Sequence, residues 1–306
     1  MRESRREQAA VLALAAHARG QWHLVSRLIG EAGGALAVAE GRLSGFETPE
    51  LLEALDEGAL PIAADELDRQ AALIDELAGE GVRLLTVLDD DYPRNLRLVY
   101  DRPPFLFVRG RLEAAETRAI AVVGTRAAST AGLEQADRLA RGLADRGVTV
   151  VSGLAKGIDA AAHEGALAAG GHTVAVMGTG IRLVYPKEHA GLAERIVESG
   201  GALVSQFWPD SPPTRYRFPM RNRTMSGLAI GTVVVEASHT SGARMQARIA
   251  LEHGKRVFLV RGLVTDEKWA QRYRDHAGAS EVSSVDDVLD VVDRIEQPVA
   301  QLTLAS

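Results

Sequence analysis

Between Ala119 and Val260 the chain alternates short apolar runs with helix-length segments, and this alternation constrains the fold more than any other feature. AIAVVG (119–124), VTVVSG (148–153), HTVAVMG (172–178), ALVSQF (202–207), GTVVVEA (231–237) and RVFLV (256–260) are strand-length and apolar almost throughout. Helical stretches at 130–147, 157–170, 189–199, 221–229 and 241–254 separate them. A strand covered on both faces has no polar side to alternate with, and parallel strands need crossover helices. The pattern therefore predicts an α/β fold, a Rossmann-like doubly wound and mostly parallel sheet, with ligands at the carboxyl ends of the strands.

The flanks read differently. Short helices are expected at 7–18, 22–31, 34–40 and 48–56 and a longer one over 61–80, with glycines between the short ones. GVRLLTVLD (81–89) reads as a strand, Tyr92-Pro93 and Pro103-Pro104 punctuate a short helix, and a second strand follows at 105–109. Beyond 262 a weak helix is expected at 266–275. An amphipathic one at 284–295 carries Val285, Val288, Leu289, Val292 and Ile295 on one stripe, and a mobile polar end follows. The expected division is a helical N-terminal domain (1–80), an extended Rossmann-like domain (81–262, core 119–262) and a short C-terminal helical tail (263–306). No cysteine occurs, which excludes disulfides and thiolate chemistry and points to a reducing cytoplasm. Glu3, Glu7 and Gln8 argue against a signal peptide, and no apolar run reaches the roughly 18 to 20 residues of a membrane span.

Charge is unevenly distributed. Residues 119–262 hold 17 Lys and Arg against 11 Asp and Glu, a net of +6, within a chain whose net charge is -6. The α/β core thus carries a positive field between acidic flanks. Its densest point is TRYRFPMRNR (214–223), where Arg215, Arg217, Arg221 and Arg223 can neutralise phosphates and Tyr216 and Phe218 offer faces to bases. Pro219 is expected to delay the helix that follows.

Four loops follow strands and carry anion-binding chemistry. GTRAAST (124–130) brings Arg126 and Ser129 to a helix start but lacks the G-x-G-x-x-G spacing of a dinucleotide site. SGLAKGIDAAAHEGAL (152–167) joins Ser152, Gly153, Lys156 and Gly157, with Asp159 expected to cap the next helix. Asp159 and His163 lie four apart, but with no third ligand nearby the pair reads as a capped helix and a hydrogen-bonded histidine rather than a metal site. GTGIRLVYPKEH (178–189) supplies Arg182 and Lys187, and EASHTSGA (236–243) places Glu236 at a strand end without an organised catalytic partner. No nucleophile triad, Walker A sequence or zincin motif occurs, so no catalytic residue, cofactor or metal is expected.

The ordered motifs AVVGTRAAST, SGLAKGIDAAAHEGAL, VAVMGTGIRLVYPKEH, FPMRNRTMSGLA and VVVEASHTSGA, with the lead-in DDYPRNLRLVYDRPPFLFVRG, resemble the DNA-processing protein A (DprA/Smf) family over residues 83–262. The resemblance implies a cytoplasmic homodimer that binds single-stranded DNA in a basic pocket and helps load the recombinase RecA in transformation or recombination. It assigns pocket character to Arg126, Ser152, Gly153, Lys156, Gly157, Arg221, Asn222 and Arg223. Gln206 stands where the family usually has glutamate, Arg261-Gly262 replaces Pro-Gly, and the chain after 262 is too short for the winged helix of many members. The full expected set is Arg126, Ser129, Ser152, Gly153, Lys156, Gly157, Arg182, Lys187, Arg215, Arg217, Phe218, Arg221, Asn222 and Arg223, with Tyr216 or Trp208 as further stacking surfaces. A nucleotide-binding sensor and a phosphoribohydrolase-like enzyme using Glu236 are the alternatives, although the latter's P-G-G-x-G-T turn is replaced here by EASHTSGA.

Overall fold

The computed structural model describes residues 2–18, 20–42, 49–112 and 118–303. Among the described residues five helices come first: α1 (Arg2–Ala16), α2 (Trp22–Ala32), α3 (Ala35–Ala39), α4 (Pro49–Glu53) and α5 (Ala64–Gly79). The expected start of the fourth, at Thr48, lies outside the described residues. β1 (Val82–Thr86), α6 (Arg94–Arg97) and β2 (Phe105–Gly110) lead into the alternating region. That region comprises β3 (Ala119–Val123), α7 (Thr130–Ala144), β4 (Thr149–Ser152), α8 (Ile158–Ala168), β5 (Thr173–Val176), α9 (Ala190–Glu198), β6 (Ala202–Ser205), α10 (Arg217–Leu228), β7 (Gly231–Val234), α11 (Gly242–Glu252) and β8 (Arg256–Val260). The chain continues through α12 (Arg261–Asp266), α13 (Lys268–Arg274), β9 (Ala279–Val282) and α14 (Val285–Thr303).

The strands form one sheet in the order β1-β2-β6-β5-β4-β3-β7-β8-β9. β1 and β2 run antiparallel to each other and β2 antiparallel to β6, while every other pairing is parallel. The unbroken apolarity of the strands follows from burial on both faces. In β3, Ile120 and Val122 join one core layer under α7, α8 and α14, whereas Ala119, Ala121 and Val123 join the other with residues of α10 and α11. β3 pairs β4 on one side and β7 on the other, so the crossovers depart in opposite directions there. The loops leaving β3 and β7 diverge and open a cleft at the switch point.

Three expectations are corrected. β9, unread in the sequence, is a short and only partly buried edge strand of four residues, too brief for a periodicity signal. The single helix expected at 266–275 is two, α12 and α13. α10 begins at Arg217 rather than 221, because Pro219 falls in the first turn, where a missing N–H costs no intrahelical bond. α14 runs on as helix to Thr303, and the Val288, Leu289 and Val292 stripe is buried in the layer shared with α7. The apolar core crosses both expected domain boundaries: Trp22 of α2 packs 5.5 Å from Phe105 of β2, and Leu263, Val264 and Trp269 join the same core as the strands.

Candidate nucleic-acid interface

The loop after β3 is fastened before it can bind anything. Ser129 caps α7, its hydroxyl oxygen accepting from the Gly132 N–H at 3.0 Å. Its own N–H and hydroxyl donate to Glu236 Oε2 at 3.1 and 2.9 Å. Glu236 is therefore a clasp between the end of β7 and the start of α7, and Ser129 is turned toward that clasp. Arg126 projects from the middle of the loop, exposed, its guanidinium carbon 5.1 Å from the centre of the Phe218 ring. A cation stacked this way presents both its charge and the ring edge to the cleft.

The loop after β4 supplies backbone rather than side chains. The Ser152 hydroxyl is buried and donates to the Val122 carbonyl at 2.7 Å, a sheet contact that removes it from the cleft. Leu154 holds φ at 58°, a left-handed conformation for a non-glycine residue, kept in place by complete burial. Gly157 has φ 78°, and a methyl there would meet the Arg126 carbonyl at 2.9 Å and the Thr125 oxygen closer still. Lys156 is exposed and paired with Glu188 at 3.0 Å. Asp159 does not cap α8, whose cap is Gly157. Its buried carboxylate instead accepts from the Gly153 N–H at 3.1 Å and from the Gly124 and Ala155 N–H groups, tying the two loops together. His163 hydrogen-bonds Thr173 Oγ1 through Nδ1 at 2.7 Å, and burial pushes its pKa down to about 3. No group of three or more metal-ligating side chains occurs among the described residues.

Arg221 is the centre of the arrangement. Its side chain is only 6% exposed and lies against Gly153, where a methyl would fall 2.6 Å from Nη2 and closer still to Nη1 and Cζ. Nη1 donates to the Val176 carbonyl at 3.3 Å and stands 4.0 Å from Asp159 Oδ2. Nε is buried without a hydrogen-bond partner. Burial lowers the guanidinium from its usual range and raises the Asp159 carboxyl, so desolvation outweighs their mutual attraction at this separation. A buried cation with an unfilled donor beside an opening is electrostatically prepared for an anion.

The basic cluster does not act as one surface. Residues two apart on a helix point about 200° from each other, so Arg221 faces the cleft while Arg223 turns away to Asp101 at 2.9 Å. Arg217 donates to the Pro212 carbonyl and lies over Phe207 and Tyr216, and Arg215 is exposed ahead of the helix. Arg182 stands apart from the others: its guanidinium binds Glu76 and Glu80 of α5 and Asp210, at 2.5 to 2.9 Å, and so joins the helical N-terminus to the sheet. Lys187 is exposed at the start of a short 3-10 turn. Trp208 packs 5.5 Å from Phe105 and belongs to the aromatic core. Gln206, buried, accepts from the Thr224 hydroxyl.

What remains together is a cleft of two lobes meeting at Arg126, Phe218 and Arg221. One lobe adds Gly153, Lys156, Gly178 and Tyr185, and the other adds Gly124, Asn222, Ser241 and Gln246. The Asn222 amide donates to the Gly242 carbonyl at 3.4 Å and so links α10 to α11 across the second lobe. Sequence reasoning passed over Tyr185, a residue 44% exposed whose ring lies 6.2 Å from Phe218, and Gln246. A glutamine in the apolar stripe Ala243, Ala247 and Ala250 of α11 was the available signal for the latter.

A doubly wound domain with a cleft at its switch point, lined by cations and ring faces, defines a Rossmann-like protein. The chain belongs to the DNA recombination-mediator protein A family, whose model matches residues 83–293. It is 48% identical over 171 residues to Protein Smf of Escherichia coli, covering 56% of this chain and 46% of that one. The X-ray structure of DNA processing protein A (DprA) from Streptococcus pneumoniae matches with TM-score 0.64 and 31% identity over 88% of this chain and 97% of that one. DNA processing protein A from Helicobacter pylori, known for its single-stranded DNA binding mode, matches with TM-score 0.61 and 23% identity over 70% of this chain and 96% of its own. The chain spans about half to two thirds of the length of the curated relatives it matches.

Proposed function

We propose that this protein binds single-stranded DNA along the two-lobed cleft and serves DNA processing in recombination or transformation. The observation that carries the reading is the buried Arg221 with its unpartnered Nε, set between the exposed cations Arg126 and Lys156 and beside the Phe218 and Tyr185 rings. Phosphate meets the cations and unstacked bases meet the rings, a pairing that suits a single strand and is indifferent to its sequence. The fold shared with the Helicobacter pylori protein, which binds single-stranded DNA, supports the same reading.

The role is binding rather than catalysis: Glu236, the carboxylate a hydrolase would use, is engaged by Ser129 as a structural clasp. Arg126, Gly153, Lys156, Gly157, Arg221, Asn222 and Phe218 form the contact set, with Arg215, Arg217 and Lys187 at its margin. No helix among the described residues is long and apolar enough to cross a membrane. A cytoplasmic homodimer that assists RecA completes the proposal. Fluorescence anisotropy across a salt series tests it: oligo-dT should bind more tightly than duplex of equal length, with affinity falling steeply as salt rises. Equal or tighter duplex binding, or an absent salt dependence, would overturn it.

A further inference from the structure

Gln246 is 1% exposed, and neither its carboxamide oxygen nor its nitrogen has a hydrogen-bond partner. It lies on the buried stripe of α11 and lines the lobe bounded by Gly124, Asn222 and Ser241. Leaving a buried donor and a buried acceptor both unmade is a stability cost that an apolar side chain of similar size avoids. A carboxamide offers one donor and one acceptor side by side, the same paired edge that every nucleobase presents. Phosphate needs cations, and the lobe has those at Arg126 and Arg221; a carboxamide adds nothing for a phosphate and much for a base.

We propose that Gln246 receives the hydrogen-bonding edge of one nucleobase of a bound strand, making this lobe a base subsite beside the phosphate-binding cations. The inference rests on the single-strand reading and deepens it. The ring of that base enters past Phe218 and Arg126, whose stacked pair forms the border between the two lobes. Because the amide can rotate to match either donor-acceptor order, the subsite requires a base edge without selecting one sequence.

The test compares oligo-dT with an oligonucleotide of equal length carrying difluorotoluene, an apolar isostere of thymine that stacks but offers no comparable hydrogen-bonding edge. Wild-type protein should prefer thymine by about tenfold, the equivalent of one well-made hydrogen-bonded pair. Gln246→Leu should erase that preference, leave the salt slope unchanged, and raise the melting temperature by about 1–3 °C because two unsatisfied buried atoms are gone. Equal binding of the two oligonucleotides by wild type, or a preference that survives in Gln246→Leu, would overturn the subsite while leaving strand binding intact. Failure of wild type to bind either oligonucleotide would overturn the single-strand reading beneath it. Thymidine monophosphate that competes as strongly as the oligonucleotide would overturn assignment of the subsite to a strand.

Discussion

Gly153→Ala is the sharpest probe of the cleft, because it adds a single methyl group where the buried guanidinium of Arg221 already sits. The new carbon would stand 2.6 Å from Nη2 and closer to Nη1 and Cζ, against an ordinary contact of about 3.5 Å. The guanidinium must therefore withdraw by about 1–2 Å, which breaks its bond to the Val176 carbonyl and separates it from Asp159. Overpacking of this kind costs about 1–3 kcal/mol of stability. Loss of one charge-assisted phosphate contact costs a further ~1.5–3 kcal/mol of binding, or about 10- to 100-fold in affinity. Anisotropy on oligo-dT at fixed salt and thermal unfolding measure the two effects separately. The decisive comparison is a double-mutant cycle: in an Arg221→Ala background, Gly153→Ala should weaken binding no further, since the group it displaces is absent. Gly153→Ala that binds within twofold of wild type, or that weakens binding equally in both backgrounds, would refute the reasoning.

Three further outcomes follow from the same geometry. Replacing Arg126 and Lys156 together with alanine should weaken oligo-dT binding at least tenfold and flatten the salt slope, with little change in melting temperature because both are exposed; normal binding would place the pocket elsewhere. Arg182→Ala should leave DNA affinity unchanged while lowering the melting temperature by about 1–3 °C through its lost contacts to Glu76, Glu80 and Asp210, and a fall in affinity would return Arg182 to the interface. Burial holds the Asp159 carboxyl above the usual carboxylate value near 4, so on acidification it gains a proton early and Arg221 loses its counter-charge. Oligo-dT affinity should rise as pH falls through that raised value. The folded state holds this proton more tightly than the unfolded chain, so the linked stability is fully present below about 4 and lost as pH rises through the folded value. Asp159→Asn should flatten both profiles, and unchanged profiles in that variant would refute the linkage.

The strand and helix alternation after Ala119 was legible because it depends on local burial: a parallel strand covered on both faces must be apolar throughout, and the crossovers must be helical. The glycine-containing loops at the strand ends were legible for the same reason, as glycine and small polar residues there leave a mark in the sequence itself. The ordered motifs added the family. What the sequence could not decide was direction. Arg182, Arg221 and Arg223 are equivalent in composition, yet one ties α5 to the sheet, one lies buried beside Asp159 and one turns to Asp101. Ser129, Ser152 and Glu236 carry plausible functional chemistry and are engaged in holding loops and strands together. Their partners lie 107, 30 and 107 residues away in the chain. A hydrogen bond or ion pair at that separation exists only once the sheet has brought its strand ends together, and the same closure leaves Arg221 Nε and the Gln246 amide without partners at the cleft.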